Sequence, residues 1–397
     1  MTSGHEETTE AGFALSLVRD DVLMRLQRRI GLVPPDGLGI GRRAVFWALV
    51  AWLPIAVWAL LFGHALPGAP GEPLLGHFGV HVRFLVAVPL FFVAEAMAHQ
   101  LTTTLLPHFV RSGLVPAAEV PQFRAALIDV ARLRDASMPW VVMLGIVVAW
   151  TALSVVTERA HDLVWAVEGE GVARHLGFGG WWLLLVARPL YVVLLLAWLW
   201  RVVLLFVLMR RIARLDLAIV PTHPDRAGGL GFVERFPKGF SAVVFAIAAV
   251  LASSWGHDVL YHGVSVVDLR GSMIAFVVLV VVLFLAPYLV FVGPLLNVKR
   301  RALLDYGALV GRHGWLVRRR WVAGEAVEDD AILTAPELGP VADTLTLYEA
   351  IVRMRPVPLG MPALLAVVAP AVIPMIPVLA IQIPIKDLLG GLAKALL

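Results

Sequence analysis

Seven long runs of apolar residues, separated by polar segments, dominate this 397-residue sequence. A helix needs about 20 residues to cross roughly 30 Å of hydrocarbon, and each run is long enough to do so. The pattern therefore predicts an all-α polytopic membrane protein. We place its spans at residues 44–63, 82–104, 138–157, 181–209, 241–260, 273–296 and 360–382.

Two of these spans depart from a simple membrane helix. The fourth run is long enough for about 44 Å of helix, so it must tilt or project beyond the membrane. The seventh contains Pro362, Pro370, Pro374 and Pro377. Because each proline removes a helix hydrogen bond, we expect this span to be kinked or broken, with the break buried in protein or lining a watery cavity.

Composition and charge support this interpretation and give an orientation. Hydrophobic residues make up 59% of the chain and charged residues 16%, values outside the range of soluble domains. Residues 1–43, 105–137, 210–240 and 297–359 together hold 25 Lys and Arg, against five in the segments at the other side. This bias predicts an inside N-terminus and an outside C-terminus. Since orientation explains the basic balance, no nucleic-acid partner is expected.

The polar segments divide the chain into four parts. Residues 1–43 form a cytoplasmic segment, in which residues 13–32 show an amphipathic helical pattern that we expect to lie on the inner membrane surface. Residues 44–296 hold spans one to six and a cytoplasmic loop at 210–240. Residues 297–359 are expected to form two helices docked on the inner ends of the spans. Residues 360–397 hold span seven and a tail.

The loop at 210–240 contains PTHPDRAGGLGF, a dense block of turn-forming residues. One interpretation is a tight turn between spans four and five. The other is an inner vestibule in which His223, Asp225 and Arg226 bind an ion, a headgroup or a regulatory ligand. In that case the glycines, Gly228, Gly229 and Gly231, let the backbone approach the ligand. The spacing is not that of a phosphate-binding loop.

This motif, together with KRRALLDYGALVGRHGWL and the later MRPVP, resembles a family of uncharacterised bacterial multi-pass membrane proteins that carry PTHPDxxGGLGF. The resemblance covers most of the chain from span one onward. It implies a shared fold and a location in the bacterial inner membrane. It implies no activity and no site residues.

Charged residues inside the spans are the strongest physical anomaly. Arg201 lies near the inner end of span four, from which its side chain can reach the membrane surface. Glu95 and Arg188 have no such route, and intramembrane charges generally pair with each other or mark a pathway. We therefore expect Glu95 and Arg188 to form either a structural ion pair or part of a functional site.

Seven of the 12 histidines fall on the predicted outer side. His77 and His81 are four residues apart, and His257, Asp258 and His262 offer nitrogen and oxygen ligands suited to zinc or copper. These residues are weak candidates for metal binding or proton sensing, and the alternative is ordinary interfacial histidines. With no cysteine, thiolate metal sites and disulfides are excluded. The cofactor is unknown.

The sequence favours a transporter or channel-like permease of unknown substrate. The alternative is a membrane scaffold or sensor that recruits a partner through its cytoplasmic segments. An enzyme is the weaker hypothesis, because no nucleophile and base are paired in any recognisable motif. The partners expected are the lipid bilayer and, as one option, further copies of the chain.

Overall fold

The computed structural model describes residues 13–35, 37–66, 73–157, 160–169, 175–327 and 341–382. These residues are mainly helical, and their only strands are the short antiparallel pair Val167–Glu168 and His175–Leu176. Seven helices in this part of the chain are long and apolar enough to cross a membrane. The predicted all-α polytopic fold is confirmed.

The predicted spans match the helices within a few residues. The spans are Ile40–Leu61, Phe78–Arg111, Met138–Thr157, Phe178–Ile212, Ser241–Tyr261, Val266–Leu289 and Met361–Gln382, numbered 1 to 7 below. The largest differences are seven residues: span 2 ends seven residues after 104, and span 6 begins and ends seven residues before its predicted bounds. Ser265 caps this helix by accepting a hydrogen bond from the Val267 N–H at 3.2 Å. Asp268 in the first turn suits the positive end of the helix dipole.

Span 7 is broken, as its prolines predict. The helix Met361–Val372 passes into a 3₁₀ turn at Ile373–Met375 and resumes as Ile376–Gln382. Pro374 lies in that turn and has no N–H to donate. Met375 is buried there, and all three pieces pack on span 5. The irregular backbone is therefore covered by protein.

The other helices lie before span 1 and in the segments that join the spans. They are Val22–Arg29, Val120–Asp135, Val292–Val317 and Val341–Val352, with 3₁₀ turns at Leu74–Gly76, Ala117–Glu119, Ala160–Ala166 and Gly231–Phe240. The segment 297–359 contains two α-helices, as predicted, and these helices pack against each other. Its acidic turn lies partly outside the described residues.

Hydrogen bonds between distant segments define two ends of the bundle. At one end, which we call the basic end, Arg134 donates to the Ser16 carbonyl at 2.5 Å and the Ala218 N–H donates to the Leu114 carbonyl at 2.9 Å. At the other, which we call the histidine end, the His257 ring lies 3.1 Å from the Gly76 carbonyl. The basic end is the one that the charge bias predicts to be cytoplasmic.

The N-terminal segment differs from its prediction. Only Val22–Arg29 is helical, and the preceding residues Phe13, Leu17 and Val18 are buried within the protein. The expectation of one helix over 13–32 is therefore wrong, although Leu26 and Ile30, at the end that is helical, remain more than half exposed. An amphipathic pattern needs only an apolar surface to cover its apolar face. Here that surface is protein: the Phe13 ring packs 6.0 Å from the Phe123 ring in the helix Val120–Asp135.

Spans 2 and 4 begin with matching segments. Residues 78–93 and 178–193 are identical at eight of 16 aligned positions, which in span 2 are Phe78, Gly79, Leu85, Val86, Ala87, Pro89, Leu90 and Val93. Both segments pass through a π-helical turn, Val82–Ala87 and Leu183–Ala187, just before the shared proline. A proline ring crowds the carbonyl four residues earlier, and a wider π turn relieves this crowding.

Candidate functional site

Four buried charged side chains form a network between spans 1, 2 and 4 and the N-terminal segment. Glu95 lies between two arginines: one carboxylate oxygen is 2.6 Å from Arg43 and the other accepts a hydrogen bond from Arg201 at 2.8 Å. Arg201 also donates to Asp21 at 2.8 Å. Arg43 in turn donates to Gln27. We call Asp21, Arg43, Glu95 and Arg201 the ion network.

The ion network is almost inaccessible to solvent and is balanced in charge. Each of its four side chains is at most 4% exposed, and two guanidinium groups face two carboxylates. Aromatic rings cover the cations: Arg43 lies 4.6 Å from the Phe92 ring centre and Arg201 lies 4.7 Å from that of Trp198. A buried charge without a partner is costly, so the four groups depend on one another.

This geometry corrects two expectations. Arg201 does not extend to the membrane surface: it is 3% exposed and bonded on both sides. Glu95 does not pair with Arg188, because its carboxylate is held by Arg43 and Arg201. Arg188 is 13 residues from Arg201 in span 4, or about 20 Å along the helix.

Nothing in the sequence marked the other two members of the ion network. Arg43 belongs to a Gly-Arg-Arg stretch at the start of span 1, a position where the inner-side charge bias already accounts for arginine. Asp21 caps the helix Val22–Arg29 by accepting the Met24 N–H at 2.7 Å. Only the burial of the N-terminal segment brings its second oxygen to Arg201.

In the loop at the basic end, Asp225 organises the turn. One of its oxygens accepts the N–H groups of Ala227 at 2.8 Å and Gly229 at 3.2 Å, and the other accepts that of Gly231 at 2.7 Å. Burial alone would raise the pKa of Asp225. These three N–H groups, with His223 2.8 Å away, nevertheless hold that pKa below its ordinary value.

The glycines serve the same turn. Gly228 and Gly229 have φ of +66° and +95°, in the left-handed region. A Cβ on Gly228 would lie 2.3 Å from Ile219, and one on Gly231 would lie 2.9 Å from Asp225. The tight-turn interpretation accounts for all of these residues. His223 and Arg226 lie near the surface of the loop, and the vestibule interpretation stays a prediction.

The three pieces of the sequence resemblance meet at this loop. The Arg355 N–H donates to the Arg226 carbonyl at 2.7 Å. Lys299 donates to the carbonyls of Val352 at 2.9 Å and Met354 at 2.6 Å. PTHPDRAGGLGF, KRR and MRPVP thus hold the helix pair Val292–Val317 and Val341–Val352 against the basic end of the bundle.

A half-open cavity enters the bundle at the histidine end, between spans 2, 4 and 5. The free space within it and in front of its open mouth is about 520 Å³, and about 70 Å³ is accessible to the centres of water-sized molecules. One of its two arginines, Arg188, is ten residues from the start of span 4, or about 15 Å along the helix. The cavity does not include Glu95. Its lining is His77, Gly79, Val80, Arg83, Arg188, Ser254, His257, Asp258 and His262.

The histidine candidates are only partly brought together. His77 and His257 have ring centres 5.0 Å apart, and His257 and His262 5.3 Å apart. His81 is directed elsewhere: it accepts the Trp52 N–H at 2.9 Å and its other nitrogen lies 3.0 Å from the Leu74 carbonyl. His77 therefore lines the cavity and His81 does not, so the two do not face one way as their spacing allowed.

Among the described residues, no three His, Asp or Glu side chains lie close enough together to hold a metal ion. The candidate set His77, His257, Asp258 and His262 thus lines a cavity without forming a ligand cage. The cavity also contains two arginines, which the metal hypothesis did not include.

Comparisons with protein-family models, with curated proteins and with solved structures return no match to this chain. The resemblance to multi-pass proteins with the PTHPDxxGGLGF motif therefore stays a prediction.

Proposed function

We propose that the protein is a permease of the bacterial inner membrane, with its basic end in the cytoplasm and its histidine end outside. The charge bias between the two ends supports this orientation. The observation that carries the function is the cavity, which opens at the histidine end and lies beside the two π-helical turns. Such turns are frequent at functional sites. Transporter binding sites are typically formed where membrane helices are irregular.

The ion network supports the same proposal from the opposite end. It joins spans 1, 2 and 4 to the N-terminal segment about 18 Å below Arg83, counting along span 2. Its buried salt bridges hold spans 2 and 4, which both line the cavity, in contact on the side toward the basic end. A cavity open on one side over a closed contact on the other is the arrangement expected for one state of an alternating-access carrier.

The test is solute flux into proteoliposomes, measured across a panel of anions, cations and neutral solutes. Ser254→Phe should fill the cavity and abolish flux while the protein still folds. Leu85→Phe is the control, because Leu85 is 41% exposed on the outer surface of span 2. Wild-type flux no greater than that of empty liposomes, or equal flux in Ser254→Phe, would contradict the proposal.

The alternative is a sensor that binds a solute at the same cavity without moving it. The helix pair docked at the basic end favours this alternative. A partner protein that binds this pair could respond to a change in the packing of the bundle. Binding at the cavity without flux in the same liposomes would select this alternative.

A further inference from the structure

We infer that the cavity binds a small oxyanion, a phosphate or a carboxylate group. This inference rests on the proposed function only in taking the cavity as the binding site. It assigns the chemistry of the ligand, which neither the sequence pattern nor the fold indicates.

The first support is the charge of the lining. Arg83 comes from span 2 and Arg188 from span 4, and among the described residues that line the cavity Asp258 supplies the one carboxylate. Within the described part of the chain, Arg83 forms no ion pair, and its guanidinium lies 5.7 Å from the Tyr191 ring centre. Guanidinium groups present several N–H donors in one plane, a geometry that matches carboxylate and phosphate oxygens.

The second support is the chemistry of the remaining polar groups. Ser254 supplies a hydroxyl group, and His77, His257 and His262 supply imidazoles that can donate N–H groups and become cationic when protonated. A bare metal cation would have to enter beside two permanent positive charges. The lining therefore favours a negatively charged ligand over the metal ion that the histidines alone would indicate.

The third support is position. Arg83 and Arg188 lie on helices that pass through π turns at the cavity wall, at Val82–Ala87 and Leu183–Ala187. An additional residue in the turn rotates the later part of the helix relative to the earlier part, so each turn sets which side chains face the cavity. The two cations converge from different spans, and both line the same cavity. An anion can thus be held between them.

The test is calorimetric titration of the delipidated full-length protein in detergent with inorganic phosphate, succinate and, as a negative control, choline. We expect saturable binding of phosphate or succinate. Arg83→Gln and Arg188→Gln should each weaken it about tenfold or more, the effect of losing a hydrogen bond to a charged group. Arg270→Gln is the matched control: it removes an exposed positive charge at the same end but outside the cavity, and binding should be unchanged.

A parallel titration with micelles containing phosphatidylglycerol separates a lipid headgroup from a soluble anion. Competition between that lipid and inorganic phosphate, lost in Arg83→Gln, would assign the oxyanion to a headgroup. No binding of any of these anions, or equal weakening by Arg270→Gln, overturns the inference. Flux of a neutral solute without anion binding would overturn it and leave the permease standing. Anion binding without flux of any solute would support the anion inference and contradict the permease proposal.

Discussion

Removing the charge of Glu95 should strongly destabilise the protein. Glu95→Gln keeps the shape of the side chain but leaves Arg43 and Arg201 facing only one carboxylate, that of Asp21. Two oppositely charged groups about 4 Å apart attract by roughly 4 kcal/mol at an effective dielectric constant near 20. Breaking a buried pair at one partner costs about 3–5 kcal/mol. We expect a loss in that range.

A double-mutant cycle can show whether Glu95 stabilises the protein through its charge pairing with Arg43 or only through the burial of its side chain. Arg43→Gln alone leaves an uncompensated negative charge and should cost a similar amount. In the double variant Glu95→Gln with Arg43→Gln, the remaining Asp21 and Arg201 are again balanced in charge. Its loss should therefore be smaller than the sum of the single losses by about 2–3 kcal/mol.

The assay is equilibrium unfolding in mixed micelles, followed by tryptophan fluorescence. Arg188→Gln is the control partner, because Arg188 lies about 20 Å along span 4 from the network. Combined with Glu95→Gln it should be additive within about 0.5 kcal/mol. The mutual dependence of these charges would be refuted if Glu95→Gln lowered the free energy of unfolding by less than about 1 kcal/mol. It would also be refuted if the losses of Glu95→Gln and Arg43→Gln were strictly additive.

Three further predictions concern the basic end and the orientation. Asp225→Asn should lower the free energy of unfolding by about 1–3 kcal/mol, because the amide NH₂ cannot accept a hydrogen bond from the Gly231 N–H. The folded yield of this variant at neutral pH checks this prediction. Folding lowers the pKa of Asp225, so the stability that its charge contributes is complete above the pKa of the unfolded state and is lost as the pH falls through the pKa of the folded state. The melting temperatures of Asp225→Asn and wild type should therefore converge at low pH. Gly228→Ala should lower the melting temperature more than Gly113→Ala, since both have positive φ but only Gly228 has a side chain 2.3 Å from the new Cβ. Single cysteines should react with an impermeant thiol reagent in intact cells at the histidine end and not at the basic end, and the opposite pattern would reverse the proposed orientation. Suitable exposed or half-exposed sites are Leu66 and Ser265 at the histidine end, and Ser112 and Ala326 at the basic end.

The features that the sequence predicted well depend on local physics. Each of the seven apolar runs predicts one span, because the thickness of the bilayer fixes the length that a membrane-spanning helix must have. Pro374 breaks span 7 because the loss of its N–H is a property of that residue alone. The glycine-rich loop forms a tight turn because Asp225 and its three N–H partners lie within seven residues of one another.

The features that the sequence did not predict depend on how the helices are rotated and placed. Arg43 and Glu95 are 52 residues apart in the chain, and nothing in either span indicates which faces meet. The amphipathic segment around Asp21 fits a membrane surface as well as a protein surface, so its burial could not be distinguished in advance. Arg83 is only a charge at the edge of span 2 in the sequence, because a cavity is a property of three packed helices.

Comparison of the matching segments 78–93 and 178–193 shows which residues shape the helices and which residues line the cavity. The shared positions include the proline and the Leu-Val-Ala stretch before it, where both segments form a π turn. The arginines are not shared: Arg83 aligns with Leu183, and Arg188 aligns with Val88. A common backbone geometry therefore presents a single cation from each span, at a different level. If the π turns served only to accommodate the prolines, the two spans would need no arginine, and an apolar pair would be less costly within a membrane. The presence of an arginine on both sides of one cavity is what an anion-binding role requires.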